Sequence, residues 1–271
     1  MSKNQYRNIK PNTSPSPSKP INKAWWKPSL AFLNAAPKSN SWKDLGIFWL
    51  KKIVFYFFTS TIIMVVLLRF LPIFITPTMI SRKLETIGTD KSSELFYEWK
   101  SYEKISKEAG LAVVASEDQS FPDHLGLDFD MMWNAFRYNL KGKKIRGAST
   151  ISQQVAKNVF LWQGRSYIRK VLELYFTVLI EIFWGKERIL EVYLNVAEMG
   201  DMTFGVEAAA NRYFGKSAID LSRTESAKIA SILPSPRKYS IVNPGPYVQK
   251  RTNQVTRQMR ALGGTAYLNH L

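Results

Sequence analysis

The chain has 271 residues, 38 Lys plus Arg against 21 Asp plus Glu, a net charge of +17, no cysteine and two histidines. The missing cysteine excludes a disulfide scaffold, a thiolate zinc centre and a Cys nucleophile, and His124 with His270 cannot form a multi-histidine metal site. The charge calls for an anionic partner, and it is unevenly spread: +9 over residues 1–52, −3 over 53–140, +7 over 141–188 and +4 over 189–271.

Residues 1–40 are rich in Pro, Ser, Asn and Lys without helical or strand period, so a disordered basic tail is expected, taken to extend to residue 52. From Ile53 to Leu68 no charge occurs, and apolar character resumes after Arg69 as far as Ile75. A helix rising about 1.5 Å per residue over that length crosses a hydrocarbon core of about 30 Å, so residues 53–75 are expected to span a membrane. Lys51-Lys52 and the basic tail put the N-terminus on the cytoplasmic side and the remainder outside. A buried core helix and a cleaved signal peptide fit these flanks less well.

Residues 76–110 read as a polar, partly helical connector, with Phe96, Tyr97 and Trp99 available for packing, and 111–271 as the main domain. Asp128 or Asp130 can cap a helix running to Leu140, with Gly142 just past its end. Thr150 with Gln153, and Ser222 with Glu225, fit capping boxes, the second before a helix that Pro234 ends. Alternating strand runs, internal repeats and heptads are missing, so the fold class is mainly α.

Three stretches can carry chemistry. Glu117 and Asp118 follow the apolar run Leu111–Ala115, where a buried helix meets a turn and a carboxylate is partly desolvated, as a general base requires. The bland alternative is an exposed acid after a core helix. Next, Ser149 or Thr150, Gln153 and Lys157 recur on one helix face, a helix start with hydroxyls, a carboxamide and a cation that suits an oxygen-rich anion. A solvated face is the alternative there. Third, Arg169, Glu173, Thr177 and Glu181 form one polar stripe, at steps of four, on a helix otherwise fit for burial. Buried charge is costly unless paired, so the stripe faces a cleft, the favoured reading, or joins an internal ion-pair network. Gly215-Lys216-Ser217 lacks the first glycine of a phosphate-binding loop, and Ser101-x-x-Lys104 lacks the companion motifs of a serine acyl enzyme.

Together, Glu117-Asp-Gln-Ser-Phe121-Pro-Asp-His124, Arg146-Gly-Ala-Ser-Thr-Ile-Ser-Gln-Gln-Val-Ala-Lys-Asn158, Arg169-Lys-Val-Leu-Glu173, Lys186–Asn195, Phe204–Ala210 and Arg212–Lys216 resemble the peptidoglycan glycosyltransferase family (glycosyltransferase family 51), over about residues 70–265. The likeness is closest to its monofunctional, membrane-anchored members. Ser152 is a small departure where many members have Thr. The resemblance implies a lysozyme-like helical domain behind a single transmembrane helix. It implies polymerisation of lipid II, in which the 4-hydroxyl of lipid II attacks the anomeric carbon of the growing lipid-linked chain, with inversion and loss of lipid pyrophosphate. The catalytic carboxylates then fall on Glu117 and Glu173. Substrate binding falls on Asp118, Phe121, His124, Ser149, Thr150, Gln153, Gln154, Lys157, Asn158, Arg165, Arg169 and Lys170. No cofactor is required and no dedicated metal ligands are expected, with a divalent cation (Mg or Mn) optional at the pyrophosphate. Expected partners are lipid II, the lipid-linked glycan strand, the membrane and other cell-wall synthesis proteins, and not nucleic acid. The expected site is the cytoplasmic (inner) membrane, with the catalytic domain periplasmic. A fused transpeptidase domain is not expected. A lysozyme-like peptidoglycan-cleaving enzyme is the alternative, because paired carboxylates also serve glycoside cleavage. A non-catalytic membrane scaffold is a third reading, and it leaves the polar stripe unexplained.

Overall fold

A computed structural model describes residues 41–88, 94–140, 142, 147–164 and 166–271. Most of the expected tail, and Arg165, therefore lie outside the described residues. The chain divides into two units, Met1–Phe57 and Phe58–Leu271.

The first helix, α1, spans Trp42–Leu68, long and apolar enough to cross a membrane. Its bounds correct two expectations. Residues 42–52, assigned to the tail, are helical, because surface Lys and Asp side chains leave the backbone ladder intact and mark only where polar surroundings begin. Residues 69–75, assigned to the span, are not helical. Pro72 disfavours helical geometry at Leu71, and Thr76 then caps α2 (Pro77–Leu84) by accepting from the Met79 amide.

The second unit is helical almost throughout, as expected. After α2 come β1 (Phe96–Tyr97), α3 (Lys107–Glu117), α4 (Phe129–Asn139), α5 (Ile151–Phe160), α6 (Tyr167–Phe183), α7 (Lys186–Val196), β2 (Thr203–Phe204), α8 (Val206–Phe214), α9 (Arg223–Ile232) and α10 (Pro246–Ala261). Short 3₁₀ helices lie at Tyr102–Lys104, Ala218–Asp220 and Gly264–His270. Asp128, rather than Asp130, caps α4, and Thr150–Gln153 and Ser222–Glu225 both form complete capping boxes.

Helix α3 is the centre of the core. Leu111, Ala112, Val114 and Ala115 are fully buried, packed with α9 and α10, while α5 packs on α6 and α7. Each large apolar side chain removed from water here stabilises by about 1.5–3 kcal/mol. The core also takes in Val65 and Ile73, and the Trp184 indole donates to the Val65 carbonyl at 2.7 Å. Arg188 Nη2 donates to the Leu68 carbonyl at 2.8 Å.

The stretch 76–110 is bonded into this unit. Arg82 bridges Glu198 at 2.9 Å and Asp201 at 2.7 Å, and Asn195 exchanges two 2.8 Å hydrogen bonds with the Lys100 backbone. Strands β1 and β2 pair in parallel, Phe96 against Thr203 and Tyr97 against Phe204. They were not foreseen, since two residues are too few to show a period. Two apolar stripes stay exposed: Phe129, Met132, Trp133 and Phe136 on α4, and Ile168, Val171, Val178 and Ile182 on α6.

Candidate active site

The end of α3, the loop to α4, the start of α5 and one face of α10 surround a cleft of about 1140 Å³. Glu117, the last residue of α3, stands in its wall, half-buried. Both carboxylate oxygens are held: Oε2 accepts from Gln154 Nε2 at 3.0 Å, and Oε1 lies 3.2 Å from the Ser116 hydroxyl. Tyr193, buried beneath, donates to Gln154 Oε1 at 3.3 Å and so orients that amide with its NH₂ toward Glu117. A fixed, half-desolvated carboxylate open to a large cleft can take a proton from a bound hydroxyl.

Asp118 lies next to it yet does a different job. It is 1 % exposed, with its oxygens on His124 Nε2 (3.0 and 3.1 Å) and on the Ile151 amide (3.0 Å). That amide is at the positive end of α5, so the carboxylate ties the loop to the helix start. His124 Nδ1 accepts from the Gly126 amide at 3.1 Å, which leaves Nε2 as the donor to Asp118. The Thr150 hydroxyl donates to the Gly126 carbonyl at 2.7 Å. Gly126 has φ +82°, and a Cβ there would meet Thr177 Cγ2 at 2.6 Å, so only glycine fits this corner.

Several of the residues expected at the substrate also bond or pack within the fold. Thr150 and Gln153 are buried as the α5 capping box, with the Gln153 oxygen accepting from the Thr150 amide at 3.1 Å. Phe121 is fully buried, with the Lys186 ammonium 4.6 Å from its ring centre. Asn158 faces away, toward Thr78 of α2. Of the neighbouring carboxamides Gln153 and Gln154, it is Gln154 that is presented to the cleft, and Ser149 lines it as an exposed hydroxyl.

The polar stripe of α6 resolves as an ion-pair network, correcting the favoured cleft reading, and it splits in two. Glu173, 3 % exposed, is paired with Arg169 Nη1 at 2.8 Å and with the Lys170 ammonium. The Thr177 hydroxyl donates to the Glu173 carbonyl at 2.7 Å. Glu181 pairs with Lys186 at 2.8 Å and also accepts from Ser152. None of the four lines the cleft around Glu117. Lys157, half-buried and without an ion pair among the described residues, lies within electrostatic reach of both Glu173 and Glu117. Burial pushes its ammonium below the ordinary lysine range. Glu173 and Glu117 pull it back up, while Arg169 and Lys170 push it further down.

Among the described residues, Asp118, His124 and Asp128 form one group close enough to share a cation. Their donor atoms are already engaged: Asp118 and His124 as above, Asp128 by the Met131 amide at 2.6 Å and by the Ser120 hydroxyl. The group therefore fits a folding role better than a metal.

The far wall of the cleft was missed from the sequence. Arg251, Gln254 and Gln258 of α10 line it, on a face beside the buried Val248, Val255 and Met259. Their spacing marks one helix face, but only the fold shows that it meets Glu117.

The family model described as Transglycosylase matches residues 83–260. The chain belongs to this family. A biosynthetic peptidoglycan transglycosylase of Xanthomonas oryzae pv. oryzae is 51 % identical over 221 residues, covering 81 % of this chain and 90 % of the relative. The protein of that name from Pseudomonas fluorescens is 49 % identical over 222 residues, 82 % and 92 % of the two chains. Its counterpart from Xylella fastidiosa is 48 % identical over 210 residues, 77 % and 86 %. A Transglycosylase domain makes this chain a glycosyltransferase, and the scaffold reading falls with it.

Proposed function

We propose that this transglycosylase polymerises peptidoglycan glycan strands from lipid II. The observation that carries the reading is a cleft with a fixed carboxylate, Glu117, in its wall, together with a desolvated cation, Lys157, unpaired among the described residues and within electrostatic reach of Glu117. Glu117 takes the proton of the acceptor 4-hydroxyl, a step typically worth about 10²–10⁴-fold. The freed oxygen attacks the anomeric carbon of the growing strand, and the bond to the lipid pyrophosphate breaks with inversion. The leaving pyrophosphate keeps the electron pair and gains negative charge, which Lys157, with Arg169 and Lys170 close to it, would balance. Glu173 holds the last two cations rather than moving a proton. A divalent ion at the pyrophosphate is an optional addition that would arrive with the substrate.

The membrane setting is part of the proposal. Helix α1, the basic N-terminal segment and the two exposed apolar stripes support a single-pass anchor in the inner membrane, with the cleft on the periplasmic side. Lipid II and the lipid-linked strand are the partners, with other cell-wall synthesis proteins expected beside them.

Purified full-length chain in detergent should convert lipid II to long glycan, and Glu117→Gln should not. Shortening of preformed glycan with no growth would support the cleaving enzyme instead.

A further inference from the structure

Arg251 is a cationic side chain in the wall of the cleft with no carboxylate partner among the described residues, and its Nε is buried without a hydrogen bond. A desolvated, half-satisfied guanidinium is a poor contributor to stability, so its place calls for another reason. Its Nη2 donates to the Ser116 carbonyl at 3.0 Å and to the Ser116 hydroxyl oxygen at 3.2 Å. That hydroxyl carries one proton and faces two acceptors, Glu117 Oε1 at 3.2 Å and the Ala230 carbonyl at 3.3 Å. Arginine only donates, so the Ser116 oxygen must accept from it, and the single Ser116 proton goes to one of the two acceptors. A carboxylate is the stronger acceptor, about twice the strength of a neutral carbonyl.

We propose that Arg251 is a positioning residue for Glu117, acting through Ser116. The chain of contacts runs from α10 to the end of α3: guanidinium to serine hydroxyl, serine hydroxyl to carboxylate. It fixes Oε1 as Gln154 fixes Oε2, and so aims the base into the cleft. The inference rests on Glu117 as the base of the proposed reaction. It explains why an arginine occupies a cleft wall beside a carboxylate without forming a salt bridge to it. It also gives α10, absent from the motif reading, a part in the chemistry.

The test is steady-state polymerisation of lipid II by the full-length chain in detergent. Ser116→Ala should lower kcat about tenfold with KM for lipid II unchanged, as expected for one lost orienting hydrogen bond. Arg251→Met should do at least as much, Arg251→Lys should recover part of it, and Arg251→Met/Ser116→Ala should be no worse than the worse single variant. A raised KM at unchanged kcat for Arg251→Met would show the guanidinium holding substrate directly and overturn the proposal. So would multiplicative losses in the double variant. Should Arg251→Met fail to fold, Ser116→Ala decides alone, and full kcat there overturns the proposal. Glu117→Gln, run alongside, separates the two layers. Wild-type polymerisation by it removes the base reading itself. An inactive Glu117→Gln beside a fully active Ser116→Ala removes only the positioning role.

Discussion

At the scale of single residues, burial decides which side chains are free for substrate. Lys157 is desolvated and unpaired among the described residues, so its charge is its contribution. A lysine whose ammonium is lowered by burial loses that charge as pH rises through the lowered pKa. The alkaline limb of kcat/KM should thus begin at lower pH than a free lysine would give. Lys157→Arg, protonated throughout, should extend the plateau to higher pH, measured on lipid II across a buffer series. An unmoved limb would take Lys157 out of the reaction. Glu173 is the opposite case, buried and doubly paired. Glu173→Gln leaves Arg169, 13 % exposed, without its partner, and calorimetry should show roughly 3–5 kcal/mol of lost stability, with the half-exposed Lys170 adding little. The sequence made Glu117 and Lys157 legible because their neighbours betray partial burial. It marked Gln153 as a capping-box residue yet also set it on the ligand-binding face, and only the folded helix shows that Gln154 is the carboxamide in the cleft wall.

At the scale of elements, local chemistry was legible and tertiary pairing was not. The caps at Asp128, Thr150 and Ser222 could be read because each is a contact over three residues. Thr150 has a second partner that no local rule exposes, the Gly126 carbonyl. Thr150→Ala should therefore cost roughly 1–2 kcal/mol, the upper end for a cap, with the melting temperature as readout. Gly126→Ala adds a left-handed strain to a clash with Thr177, and should unfold at lower temperature still, by about 1–3 kcal/mol or more. A Gly126→Ala protein as stable as the parent would contradict the described corner. The α6 stripe shows why a helical wheel alone misleads. Its period identified four polar positions, but the choice between cleft and ion pair depended on Lys186 of the next helix and on Lys170 of its own.

At the scale of the whole chain, the charge map and the anchor belong together. The +9 block, residues 1–52, runs into the first turns of α1, the helix long and apolar enough to cross a membrane, and the +7 block carries Lys157, Arg169 and Lys170. A cut at the apolar boundary read from sequence, after residue 75, would strip Val65 and Ile73 from the core and remove the carbonyl that Trp184 binds. A cut after Phe57 respects the unit boundary. The chain lacking residues 1–57 should melt within a few degrees of the full protein in detergent, while that lacking residues 1–75 should melt clearly lower. Polymerisation by the shorter cut should fall more in lipid vesicles than in detergent, because the anchor concentrates enzyme and substrate on one surface. Equal losses in both media would refute that role.

The two-residue strands have a consequence for how the protein is made. Phe96 donates to the Met202 carbonyl, so β1 is latched by residues about a hundred positions later. During synthesis the ribosome has emitted helices α3 to α7 before that latch has anything to close upon, and closing so long a loop is entropically slow. The newborn domain therefore spends its first moments with this seam open. In pulse-labelled refolding, the Phe96 amide should gain protection from exchange after the amides of α3. Simultaneous protection would place the latch in the folding nucleus instead.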